Sequence, residues 1–144
     1  MAETKKLNAN QFTFELVAPE RVAVSGVEEN VILPGEVSDF TVLAGHTPLL
    51  AALRRGVVSV VRGQKTQRFF IEGGFADIDN AHCIVLTPHV TPVEELSATD
   101  IEAEIAALET ELEGISMQDE RDPVYAKIDS LRIKLNAALL VNAS

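Results

Sequence analysis

Two hydrophobic periods run along this chain, and they change over near residue 93. In the first part apolar residues recur at every second position. Phe12, Phe14, Leu16 and Ala18 alternate with Thr13, Glu15 and Val17, the pattern of a strand with one face buried. Pro19-Glu20 interrupts the alternation, and Val22 and Val24 resume it. The run Val31-Ile32-Leu33 stops at Pro34-Gly35, a local turn signal. Residues 57–61 and 66–71 flank Arg62-Gly63-Gln64-Lys65, which predicts a hairpin. Gly73-Gly74 is expected to separate that strand from a further one at 75–79, and Asn80-Ala81 leads into an apolar run at 82–86. Short strands spaced by turn residues imply two packed sheets or a barrel, and residues 1–93 are read as an all-β sandwich.

Beyond residue 93 the spacing becomes helical. Ile101, Ile105, Leu108, Leu112 and Ile115 form one stripe, and Val124, Ile128, Leu131, Leu135 and Ala138 repeat it with the same intervals. Ser97 with Asp100, or Thr99 with Glu102, offers a cap for the first helix, and Gly114 weakens its end. Asp122-Pro123 is a start signal for the second, because a proline in the first turn gives up an N–H that has no intrahelical partner there. With residues 116–121 as a short polar connector, residues 94–144 are expected to form an antiparallel helical hairpin. Such a pair buries little apolar surface, so it should lean on the sandwich or on another protein.

Charge sharpens that division. The net charge is −10, and its two parts differ: residues 1–93 carry eight Lys/Arg against ten Asp/Glu (−2), residues 94–144 four against twelve (−8). An acidic surface repels phosphate backbones, so no nucleic-acid partner is expected. No apolar stretch is long enough to span a bilayer. The opening MAETKKLNANQFTFEL has neither the apolar block of a signal peptide nor the Arg-rich character of a transit peptide, and Cys83 is alone; both point to a cytoplasmic chain.

Candidate chemistry is sparse. There is no phosphate-binding glycine loop, no HExxH, no CxxC and no GxSxG. His46, His82 and His89 lack the spacing of metal ligands, Asp77 and Asp79 sit near a turn as solvated charges, and Cys83 in an alternating run reads as a small core residue. No catalytic residue, cofactor or metal is expected. This leaves a protein that works through its surfaces: a subunit of a larger assembly, or a free-standing sandwich that binds a ligand or peptide.

An ordered set of segments resembles the epsilon-subunit family of bacterial F-type ATP synthases. The segments are FELVAPER at 14–21, VILPG at 31–35, AGHTPLL at 44–50, LRRGVV at 53–58, EGGFAD at 72–77 and CIVL at 83–86. They cover nearly all of residues 12–88, and the helical hairpin after them is also a feature of that family. The resemblance implies a non-enzymatic rotor subunit on the cytoplasmic face of the bacterial inner membrane. Its sandwich would bind the gamma subunit and the c-ring, coupling proton flow to ATP synthesis, with membrane contact only through the complex.

Residue by residue, the loop 35–46 is the one expected to face the ring, with Asp39 and His46 as polar contacts. Ser38 and Thr41 stand where the family commonly has glycine, and Ala44 where it has proline. In many members the helices extend toward the alpha and beta subunits and inhibit hydrolysis through cations. Here Lys127, Arg132 and Lys134 of the second helix are the candidates for that contact. Some members bind ATP at the hairpin, but Glu102 or a neighbour occupies the place of the required cation, so no ATP binding is expected.

Overall fold

The computed structural model describes residues 7–143, and side chains as far as residue 140. Eight strands are followed by two helices: β1 (Phe12–Ala18), β2 (Arg21–Glu28), β3 (Val31–Pro34), β4 (Asp39–Val42), β5 (Leu49–Arg62), β6 (Lys65–Ile78), β7 (His82–Leu86), β8 (Val90–Pro92), α1 (Ala98–Glu113) and α2 (Gln118–Ala143). A 3-10 turn at Val93–Glu95 precedes α1. Contacts divide the chain into two compact units, Met1–Pro92 and Val93–Ser144.

The strand unit is organised by one long hairpin. β5 and β6 run 14 residues each and stay in a single antiparallel register from Leu49↔Ile78 to Arg62↔Lys65 around the Gly63-Gln64 turn. The strand order is β2-β1-β7-β6-β5-β3-β4, with β8 also on β6. The C-terminal part of β6 pairs with β7, its N-terminal part with β8, and the far part of β5 with β3. The hairpin therefore belongs to both layers of a sandwich. All pairings are antiparallel except β1 with β7, which run parallel.

The glycine pair explains how one hairpin serves two layers. On β6 the residues of the common core are Phe69 and Ile71 before the glycines, but Ala76 and Ile78 after them; Phe70 is buried as well but lies outside that core. On β5 the same change of parity separates Leu53 from Val58 and Val60. Gly73 and Gly74 have φ of 89° and 138°, so the chain turns over locally and the opposite set of side chains faces the core. Gly73-Gly74 thus bends a continuous strand and does not end it, contrary to the sequence expectation of two separate strands. Phe12, Phe14, Leu16, Val31, Leu33, Val58, Val60, Phe69 and Ile71 are among the residues that fill the common core.

In the helical unit all ten predicted stripe residues meet: Ile101, Ile105, Leu112, Val124, Ile128 and Ala138 are buried, with Leu108, Ile115, Leu131 and Leu135 packed against them. Of the two candidate caps the chain uses Ser97, whose Oγ accepts the Asp100 N–H at 3.2 Å. The second helix begins earlier than Asp122-Pro123 predicts, at Gln118, with Pro123 inside it. Two contacts support that extra turn. Gln118 Nε2 donates to Asp122 Oδ1 at 2.6 Å, and Arg121 Nη1 donates to the Leu112 and Ile115 carbonyls at 2.9 and 2.8 Å. The guanidinium thereby closes the open end of α1, where helical carbonyls lack donors.

Candidate functional site

The most distinctive surface is an outer sheet face. Directly paired residues of neighbouring strands point to the same side, so the ladders can be read across the sheet. Val22 pairs with Val17, Val17 with Leu86, Leu86 with Phe75, and Phe75 with Ala52. These five residues form an apolar row across β2, β1, β7, β6 and β5. Their alternate neighbours Leu16, Val85 and Ala76 are buried in the core, so the row looks outward. It is open to solvent: Val22 is 61%, Phe75 58% and Leu86 53% exposed, and Leu50 in the next row is 72% exposed. Scattered exposed aliphatics are ordinary, whereas a contiguous apolar band that includes an aromatic is typical of surfaces used in binding.

The next row reads Ser25, Glu15, Ile84, Asp77 and Leu50 across the same strands. Glu15 and Asp77 are two strands apart with Ile84 between them. Neither has a hydrogen-bond or ion-pair partner among the described residues. Most other carboxylates of the strand unit with a charged neighbour are committed. Arg55 Nε donates to Glu72 Oε1 at 2.5 Å. Glu28, only 6% exposed, receives Nε and Nη2 of Arg62 at 3.0 and 2.7 Å.

The residues singled out from sequence are dispersed. Asp39 opens β4 and accepts Nη2 of Arg54 at 2.5 Å. His46 lies beyond the other end of β4, its Nδ1–H donating to the Thr47 carbonyl at 2.6 Å. The adjoining Gly45 N–H is tied to the Asn80 carbonyl at 2.9 Å. No hydrogen bond or ion pair joins Asp39 to His46. On α2, Lys127 and Lys134 are seven residues apart and share one flank of the buried stripe, while Arg132 falls on the other. Arg132 Nη2 approaches Glu109 Oε2 on α1 at 3.5 Å, an exposed pair of little energetic weight. The three cations therefore form no single patch.

Ionisable groups are tuned by structure alone. Burial, reinforced by Asp77 and Asp79, pushes the Cys83 thiol up to about 12, which makes it a poor nucleophile. The Asp79 carboxyl is held below its ordinary value by the backbone N–H of Ala81, with the N–H of His82 adding to it. Among the described residues no three His, Cys, Asp or Glu side chains converge as metal ligands. The apolar row itself escaped sequence reasoning because Val17, Leu86 and Phe75 are far apart in the chain. Its trace was the apolar residues at nominally outward positions of alternating strands.

A two-layer sandwich turned about a shared bent hairpin, followed by a helical hairpin, defines the structural class of the chain. The family model described as ATP synthase, Delta/Epsilon chain, beta-sandwich domain matches residues 11–93. The ATP synthase epsilon chain of Parvibaculum lavamentivorans is 35% identical over 125 residues, 86% of this chain and 95% of that one. That of a Chelativorans species is 40% identical over 107 residues, 74% and 79% of the two chains. A chain of the Euglena gracilis mitochondrial ATP synthase OSCP/F1/c-ring structure shares the fold at a TM-score of 0.75 and 19% identity, covering 99% of this chain and 86% of its own length. The chain belongs to the ATP synthase epsilon chain family.

Proposed function

We propose that this chain is a non-catalytic central-stalk subunit of an F-type ATP synthase. It docks on the gamma subunit through the outer face carrying Val17, Val22, Phe75 and Leu86, and links that subunit to the c-ring. The observation that carries this reading is the exposed apolar row across five strands. A joint that transmits torque needs an interface that holds without covalent bonds, and a dry apolar centre supplies it. The chain would sit peripherally at the cytoplasmic face of the bacterial inner membrane, held there by the complex. No helix among the described residues is long and apolar enough to cross a membrane.

Asp39 and His46 are the proposed polar contacts to the ring, with Asp39 already held in place by Arg54. Lys127, Arg132 and Lys134 are the proposed contacts of the helical hairpin with the alpha and beta subunits. Because the stripe between them is filled by α1, all three would reach one partner surface only if α2 is approached from both flanks.

Co-purification tests the docking face. The gamma subunit of the same organism should be captured by the wild-type chain and lost on Phe75→Asp with Leu86→Asp. Each truncation of a central apolar anchor weakens binding by about 2 kcal/mol or more, and a buried unpaired carboxylate adds to that. The double variant should keep its melting temperature, since both side chains face solvent in the isolated chain. Undiminished capture would rule this face out.

A further inference from the structure

The apolar row is bordered on one side by two carboxylates that nothing in the described chain engages, and we infer that Glu15 and Asp77 receive two cations of the docking partner, fixing its register along the row. The inference rests on the docking reading above and goes further by stating the chemistry of the occupant.

The geometry is simple. The row crosses five strands, so at 4.7–4.9 Å per strand it is roughly 19 Å long and a single residue deep. One face of a helix of about thirteen residues matches that length at 1.5 Å rise per residue. Glu15 and Asp77 lie in the adjacent row with β7 between their strands, which places their backbones roughly 10 Å apart. Two residues seven apart on a helix lie on one side and are separated by about 10.5 Å along the axis. The fitting occupant is therefore a helix with an apolar stripe edged by two Lys or Arg residues at i and i+7.

Openness alone does not set these two apart, since Glu29 and Glu36 also have no hydrogen-bond or ion-pair partner among the described residues; their place beside the apolar row does. Asp39, Glu72 and Glu28 each hold an arginine, and Asp79 holds two backbone N–H groups. Glu15 and Asp77 have no such partner, and the nearest side chains in their row, Ser25, Ile84 and Leu50, carry no charge. Covering the row with an apolar surface that lacked cations would strip water from both carboxylates without replacement. A partner carrying cations there is selected over one that does not, and its approach is accelerated by attraction at the edge of the contact.

The test is the association rate of the full chain with the gamma subunit, measured at low and high salt for wild type, Glu15→Gln with Asp77→Asn, Glu15→Lys with Asp77→Lys, and Phe75→Asp. The lysine pair should associate about tenfold more slowly than wild type at low salt, and the difference should shrink as salt is raised. The isosteric neutral pair should show a smaller loss of the same kind, and it guards against misfolding of the reversed variant. If wild type binds and both charge variants associate at its rate at every salt concentration, the two-cation inference falls while the docking face stands. If Phe75→Asp binds as wild type does, the docking face falls and the inference with it.

Discussion

Gly74 shows how much a single position can demand. Its φ of 138° lies where an L side chain is strained, and a Cβ there would run into the Leu86 carbonyl oxygen of the neighbouring strand. Gly63 also has a positive φ, of 62°, but open space around it. Gly74→Ala should therefore destabilise the chain by about 3 kcal/mol, combining backbone strain with a clash against backbone. Gly63→Ala should cost only about 1 kcal/mol. Urea unfolding of the two variants checks the contrast, and equal losses would contradict the bend described for β6.

A second prediction at this scale concerns acid. The N–H groups of Ala81 and His82 stabilise the charged form of Asp79 in the folded chain, so its folded pKa lies below the ordinary 3.8. That contribution is present in full above 3.8 and is lost as pH falls through the lowered folded value. Asp79→Asn should lose less stability than wild type over that acid range. The comparison is made by thermal melts at stepped pH, and parallel curves would show that the turn does not contribute. Asp77 and Asp79 looked alike in the sequence. They differ because one caps a turn and the other stands on an outer face, a distinction that depends on where the β6–β7 connection closes.

At the scale of elements, the helical hairpin depends on how its turn is made. Arg121 donates to two α1 carbonyls, donates to the Tyr125 hydroxyl at 3.0 Å, and places its guanidinium 5.5 Å from the Tyr125 ring centre. Arg121→Ala should cost about 1–2 kcal/mol, confined to the helical unit, because two helix-end carbonyls lose their donor. Helical circular dichroism on heating should then decline before the strand signal. Simultaneous loss at an unchanged midpoint would show that Arg121 carries no such weight. The stripes on both helices were legible from spacing alone, and all ten residues meet as that spacing requires. The start of α2 was not, because the proline signal competes with a contact made nine residues back in sequence, from Arg121 to Leu112.

On the scale of the whole molecule, charge and contacts divide the chain at nearly the same place. The acidic helical unit carries six Asp/Glu and no Lys/Arg between Ala98 and Glu113. A surface of that sign resists docking on an acidic partner, whereas α2 offers cations on two flanks. Deleting residues 94–144 in the assembled enzyme separates the roles. If the hairpin restrains hydrolysis, the ATPase rate should rise severalfold while proton pumping persists. An unchanged rate would remove the inhibitory role and leave the proposed docking of the sandwich untouched.

Alternation and helical spacing are properties of the local chain, since side chains two or three to four residues apart share a face whatever else the protein does. They sufficed to establish a strand-built unit followed by a helical pair, most strand positions and both helix stripes. Which strands become neighbours is a long-range matter. The bend of β6 at Gly73-Gly74, the parallel seating of β7 beside β1, and hence the meeting of Val17, Leu86 and Phe75 next to Glu15 and Asp77 were decided only when the layers closed over a common core.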